Sequence, residues 1–279
     1  MFVFEIIKVI FLGIVEGITE WLPVSSTGHM ILFNEFFSLN ASEEFVEMFL
    51  VVIQLGAILA VPVFFRDKLW PLSSKKTQSE KRETLNLWGK VIVGAIPAGA
   101  LGLLLDDLLD RYLNGYIVVA VTLILYGIAF IFVEKFKAEK KFRVESTDSL
   151  SYKDALKIGA FQALSLIPGT SRSGATILGG MLSGVSREVS AEFSFFMAIP
   201  IMLGASGLKV LKFILEGFSA TIGEISLLMV GISVSFLVSL LVIRFLMDFV
   251  KRHNFKLFGY YRIALGTLVI IYFLIKSFV

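Results

Sequence analysis

The stretch Glu16-Gly-Ile-Thr-Glu-Trp-Leu-Pro-Val-Ser-Ser-Thr-Gly-His29 sets two carboxylates, a row of hydroxyls and an imidazole inside a segment apolar enough to enter a lipid bilayer. A later stretch, Pro168-Gly-Thr-Ser-Arg-Ser-Gly174, sets three hydroxyls and a guanidinium in similar surroundings. An ionisable group at membrane depth costs about 3 kcal/mol on insertion scales, so such clusters mark functional sites and constrain how the chain around them folds.

The 279 residues are 56% hydrophobic and 18% charged, with a mean hydropathy of +0.83. That balance is too apolar for an ordinary soluble domain and predicts an all-α polytopic membrane protein, one integral membrane domain over residues 1–279. Cysteine is absent, which excludes disulfides, thiolate nucleophiles and cysteine-based metal sites. Met1 to Val15 is expected to be retained rather than cleaved as a signal peptide, because Lys8 interrupts its apolar run and no small-residue cleavage site precedes Glu16.

Six segments, about 45–65, 87–105, 116–133, 189–214, 223–247 and 258–278, have the length a membrane-spanning helix needs. Two more, about 1–37 and 152–184, are apolar but broken midway by the Pro- and Gly-containing stretches quoted above. Hydrocarbon cannot satisfy backbone groups freed at such a break, so each predicts a re-entrant helical hairpin whose break is buried in protein or lines a wet cavity. The alternative is a pair of plain kinked spanning helices.

Basic residues follow loops. Arg66, Lys68, Lys75, Lys76, Lys81, Arg82 and Lys90 crowd one, and Lys135, Lys137, Lys140, Lys141, Arg143, Lys153 and Lys157 a second. Arg244, Lys251, Arg252 and Lys256 mark a third, so all three are expected in the cytoplasm, with an acidic loop at Asp106, Asp107 and Asp110 outside. The first hairpin then opens outward and the second inward. Inverted repeats over about 1–133 and 152–278 follow, joined by a cytoplasmic linker of about 134–151 that is expected to be mobile. At an offset of 146 residues Gly13, Ser25 and Gly28 fall on Gly159, Ser171 and Gly174, and such repeats place a site between discontinuous helices near the midplane. Small residues such as Gly94, Ala98, Gly179 and Gly180 are expected to serve helix packing.

Glu16 and Glu20, four residues apart, share one helical face and can hold a divalent cation or take part in proton transfer. Ser25, Ser26, Thr27, Gly28 and His29 open the next half-helix, and the combination resembles an activated nucleophile with its base. In the second break Gly169, Ser171, Arg172, Ser173 and Gly174 combine a helix N-terminus with bidentate guanidinium donation, which suits a phosphate group. Arg172 lies too deep in the hairpin to reach water easily.

Glu16 to Glu20, Leu22 to His29 and Pro168 to Thr176, followed by Gly179 to Leu182 and Glu192 to Phe195, resemble the undecaprenyl pyrophosphate phosphatase family, the bacitracin-resistance type of lipid diphosphatase. The resemblance covers essentially the whole chain. It implies hydrolysis of undecaprenyl diphosphate, a divalent cation (Mg2+ or Ca2+), a homodimer, and a multi-pass protein of the bacterial plasma (inner) membrane with an outward-facing site. It carries functional roles onto Glu16, Glu20, Ser26, His29 and Arg172.

The expected chemistry is phosphoryl transfer. Arg172 and the hydroxyls of Ser25, Thr27, Ser171 and Ser173 hold the diphosphate, a cation rests on Glu16 and Glu20, and Ser26 attacks with His29 as its base. Direct attack by His29, or by water that His29 activates, stays open. The prenyl chain is expected among the bilayer lipids, and no nucleic-acid partner is expected. A lipid-phosphate transporter or flippase is the rival, since broken helices in inverted repeats are also a carrier architecture.

Overall fold

The computed structural model describes residues 2–113, 115–137 and 141–278, without the side chains of Asn34, Glu35, Phe36, Asp106, Asp107, Leu109, Asp110, Arg111 and Phe278. The chain is all-α, as its composition predicts. Its helices are α1 (Phe2–Thr19), α2 (Ser26–Phe36), α3 (Glu43–Val52), α4 (Gln54–Phe64), α5 (Arg66–Leu69), α6 (Gln78–Leu113), α7 (Tyr116–Lys137), α8 (Tyr152–Ala163), α9 (Arg172–Leu182), α10 (Arg187–Leu215), α11 (Ile222–Arg252) and α12 (Lys256–Phe278). Among the described residues six stretches are long and apolar enough to cross a membrane: Glu43–Phe64, which joins α3 to α4, then Gln78–Leu105, Tyr116–Lys137, Arg187–Leu215, Ile222–Arg252 and Lys256–Ser277.

Hydroxyl residues start the helices. Ser151 and Asp154 form a capping box on α8, Thr221 and Glu224 form one on α11, and Ser42 and Ser186 cap α3 and α10. Each supplies an acceptor for an N–H that the first turn leaves unpaired.

The two broken stretches fold as helical hairpins, and side-chain contacts bring the two ends of each together. At the start of α1, Lys8 Nζ donates to the Ser38 carbonyl beyond α2 at 2.8 Å, and the Asn40 N–H donates to Glu5 at 3.1 Å. At the other face Arg143 binds both the Asp154 carboxylate in the first turn of α8 and the Ser183 carbonyl at the end of α9. The hairpins pack across the two halves: α1 lies on α11, and α8 lies on α6. Glycine permits both approaches. A Cβ on Gly13 would stand 3.0 Å from the Gly231 carbonyl, and one on Gly159 only 2.0 Å from the Gly94 carbonyl. Backbone contact this close is how helices gain van der Waals energy where lipid offers no hydrophobic drive. A third crossing joins α7 to α12 at Gly127 and Gly259, each of which faces the other's carbonyl.

Two expectations about the loops are corrected. The linker is not loose where it is described: Arg143 and Val144 donate to the Gly184 carbonyl, Ser186 donates back to Val144, and Val144 and Leu150 are buried. The stretch holding Asp106, Asp107 and Asp110 is helical, because α6 continues to Leu113; the acidic side chains expected there, and Lys140, lie outside the described residues.

Candidate active site

The two breaks are built alike around one unusual serine each. Ser25 and Ser171 have φ of 73° and 70° and are the positive-φ non-glycine residues among those described. Such a conformation costs a serine about 1–3 kcal/mol, a strain typical of functional sites. A glycine would avoid that cost but carries no hydroxyl. The Ser25 Oγ accepts from the Gly28 N–H at 3.3 Å, and the Ser171 Oγ accepts from the Gly174 N–H at 3.2 Å, so each serine caps the half-helix that follows it. The paired offset of 146 residues in the sequence is thus a repeated backbone device.

These caps aim the first turns of α2 and α9 at one another. Arg172 donates from Nε at 3.3 Å and Nη2 at 3.1 Å to Glu20 Oε1, while its Nη1 donates to the Ser194 carbonyl at 2.8 Å. Beneath it lies the Trp21 ring, 5.7 Å from the guanidinium carbon, and Trp21 in turn meets Phe195 edge to face. The other oxygen of Glu20, Oε2, accepts from Ser26 Oγ at 3.3 Å. One carboxylate therefore touches both the candidate nucleophile and the candidate phosphate-binding cation. Ser173 donates toward the Glu20 and Leu22 carbonyls at 3.1 and 3.3 Å and lies 3.2 Å from Ser171 Oγ, which ties the second break to the first.

His29 stands differently from the expectation. Its Nδ1 is 2.7 Å from the Ser25 carbonyl and its Nε2 is 2.7 Å from the Tyr261 hydroxyl. A carbonyl only accepts, so Nδ1 carries the proton, and in the neutral ring Nε2 accepts from Tyr261. Neither nitrogen bonds Ser26. The three-residue spacing puts Ser26 and His29 on one helical face, but the imidazole turns to α12, and the carboxylate in contact with Ser26 is Glu20. Tyr261 and its neighbour Arg262 are the residues the sequence reading overlooked. Arg262 lies more than a turn inside an apolar span, so the depth argument that picked out Arg172 would have picked it out too.

Glu16 is buried, its Oε1 has no hydrogen-bond partner, and its carboxyl lies near that of Glu20, one turn along the chain. An orphaned oxygen beside a second carboxylate suits a divalent cation. Among the described residues no three His, Asp or Glu side chains gather into a metal cage. Mg2+ needs none, since it is commonly held by one or two carboxylates together with substrate phosphate oxygens. Of the other expected phosphate contacts, Thr27 is exposed on the first turn of α2. Gly169, with φ of 85°, packs so tightly on α7 that a Cβ would stand 2.2 Å from Thr122 Oγ1, and the Gly174 N–H is taken up by Ser171.

Comparison with known proteins matches residues 9–268 to the family described as "Bacitracin resistance protein BacA". Among curated relatives, the "Undecaprenyl-diphosphatase" of Streptococcus mutans is 57% identical over 277 residues, covering 99% of both chains. The protein of that name from Enterococcus faecalis is 56% identical over 269 residues, covering 96% of each, and that from Acetivibrio thermocellus is 54% identical over 270 residues, covering 97% of this chain and 98% of its own.

Proposed function

We infer, from the premise that the chain belongs to the bacitracin resistance protein family, that it is an undecaprenyl-diphosphatase. It hydrolyses undecaprenyl diphosphate to undecaprenyl phosphate and inorganic phosphate, which recycles the lipid carrier of cell-wall synthesis and underlies bacitracin resistance. The protein is a multi-pass membrane protein. The rival carrier reading draws no support from the relatives.

The observation that carries the mechanism is the contact of one carboxylate, Glu20, with both Ser26 and Arg172. In our reading the diphosphate displaces Glu20 from part of the Arg172 fork, and the guanidinium then holds the phosphate oxygens in place. Ser26 Oγ attacks the terminal phosphorus while its proton passes to Glu20. The bond between that phosphorus and the bridging oxygen breaks, and undecaprenyl phosphate leaves with the electron pair. Glu20 passes the proton it took from Ser26 to the leaving phosphate. The freed carboxylate then takes a proton from water, which opens the phosphoserine as that proton returns to Ser26 Oγ and inorganic phosphate is released. Glu16 and Glu20 would hold Mg2+ or Ca2+, which when bound neutralises charge on the diphosphate. Positioning and charge neutralisation supply most of the rate in such transfers. His29, pinned between Ser25 and Tyr261, orients the start of α2 in this scheme rather than acting as the base.

The hairpins are re-entrant in this reading, and the site faces outward in the bacterial inner membrane, because the first hairpin opens on the face opposite the lysine-rich loops. A homodimer is proposed on the family resemblance. The test is phosphate release from a prenyl diphosphate by purified protein in detergent, with and without a chelator. No release under either condition would sink the assignment to this chain.

A further inference from the structure

Arg262 is fully buried in α12 and, among the described residues, makes no ion pair with a carboxylate; its hydrogen-bond partners are backbone carbonyls. Nη1 donates to Pro23 in the first break at 3.2 Å. Nη2 donates to Gly169 and Thr170 in the second break, both at 2.9 Å, and Nε faces the Leu123 carbonyl of α7 at 3.5 Å. The Tyr126 ring lies 5.5 Å from the guanidinium carbon. These are the carbonyls that a broken helix in a bilayer leaves without partners. One planar, five-donor group satisfies them from both halves of the chain at once, and no other residue type has that reach.

We propose that Arg262 is a positioning residue: it sets the register of the first break against the second, and so fixes Ser26 and Glu20 relative to Arg172. The glycine crossing serves this arrangement, since a Cβ on Gly127 would stand 3.2 Å from the Cβ of Arg262 and 2.7 Å from the Gly259 carbonyl. A lysine at 262 keeps the charge, but its three donors radiate from one nitrogen and cannot reproduce the planar fork that places Nη1 on Pro23 and Nη2 on Gly169 and Thr170. The expected effect falls on turnover, because the attacking hydroxyl and the phosphate-binding cation come from opposite sides of the clamp.

The catalytic half of this inference rests on the phosphatase reading above; the geometric half does not, and the experiment separates them. The chain has no cysteine, so spin labels can be placed at will. One pair, Met30→Cys with Leu164→Cys, spans the two breaks, and a reference pair, Arg82→Cys with Lys153→Cys, spans the basic face. In Arg262→Lys the distance distribution between the breaks should shift or broaden while the reference pair stays unchanged. In the otherwise unlabelled chain kcat should fall about 100-fold, as misplacement of reacting groups by an ångström does, with KM within about threefold. An unchanged distance between the breaks, or a change in both pairs together, overturns the proposal. So does a kcat within threefold of the parent. If the parent itself releases no phosphate, the phosphatase reading fails while the distances still judge the clamp. If Arg262→Lys cannot be purified, Tyr126→Leu, which removes the ring beneath the guanidinium, should broaden the same distance; no broadening there overturns the proposal as well.

Discussion

Glu20 and Arg172 are 152 residues apart along the chain, yet two N–H groups of the guanidinium converge on one carboxylate oxygen, at 3.3 and 3.1 Å. The pair is nearly buried, with 7% and 11% side-chain exposure, so neither charge is relieved by water if the other is lost. It is also the only direct bond between an acidic residue of the first break and a basic residue of the second among the described residues. In the proposed mechanism a phosphate group arriving at Arg172 would exchange one anion for another and free Glu20 beside Ser26.

Replacing Arg172 with lysine should therefore lower kcat about 100-fold, the scale on which a lost transition-state donor is felt. A point charge cannot bond Glu20 and the Ser194 carbonyl at once, nor grip two phosphate oxygens. The variant should still insert and elute as the parent does. Phosphate release at near-parental rate would remove Arg172 from the site.

The covalent intermediate can be looked for directly. Rapid quenching of a labelled prenyl diphosphate should trap label on the protein in a form stable to acid and labile to alkali, as phosphoserine is, and Ser26→Ala should abolish both label and turnover. An acid-labile adduct would instead identify His29 as the nucleophile. Should neither appear although turnover is normal, attack by water becomes the mechanism and the role given to Ser26 is wrong.

The two broken stretches and the candidate site residues are legible because hydrocarbon makes charges and backbone breaks conspicuous: Glu16 to His29 and Pro168 to Gly174 stand out from apolar surroundings. What could not be read was partnership across long separations. His29 and Ser26 look like a pair at their spacing, but rotamer choice is set by Tyr261, which is 232 residues away. Arg262 follows a basic loop, Lys251 to Lys256, so from the sequence alone a lone Arg there looks like one more topological marker. Composition likewise cannot tell a free linker from one stitched down by backbone hydrogen bonds, as Val144 is.

Gly159→Ala should lower the thermal stability of the detergent-solubilised protein sharply. The added methyl has only 2.0 Å to the Gly94 carbonyl, and overpacking of this kind costs about 1–3 kcal/mol or more. Gly204→Ala is the control, because nothing lies within 4 Å of its Cβ position and alanine is the better helix former. Equal melting temperatures for the two variants would show that the α8 to α6 contact can relax.

Acid should loosen the second hairpin at its base. Asp154 begins α8 outside the six spans; burial pushes its carboxyl up, but hydrogen bonds from Arg143 and from Ser151 outweigh this and hold it below its ordinary value of 3.8. A depressed carboxylate contributes stability above its unfolded value, and that contribution is lost as pH falls through the folded one. Melting temperature should thus drop between pH 4 and pH 2 more steeply in the parent than in Asp154→Asn, values that follow from the ordinary aspartate range of about 4. Parallel curves would mean that the Arg143 contact contributes nothing.

Single cysteines at Lys76 and Lys141 should label from the cytoplasmic side, and one at Glu44 from outside. The basic ends of α6, α8 and α10 share one face, while Glu44 belongs to the face where the first hairpin opens. Labelling of Lys76→Cys by an impermeant reagent in intact cells would invert the whole arrangement.

The exchange of partners between the halves also orders the birth of the molecule. When α8 leaves the ribosome its partner α6 is already in the membrane, so Gly159 can meet Gly94 at once. α1 has no such welcome: Gly13 rests on Gly231, and α11 is among the last helices to be made. The first hairpin, with its two carboxylates, therefore reaches its final packing only after most of the chain has been made, and so distant a contact is expected to close late. A chain made only as far as α10 leaves Gly13 and Gly17 without the Gly231 and Ser235 carbonyls on which they pack, so the face of α1 that carries the closest backbone contact stays open until α11 is made.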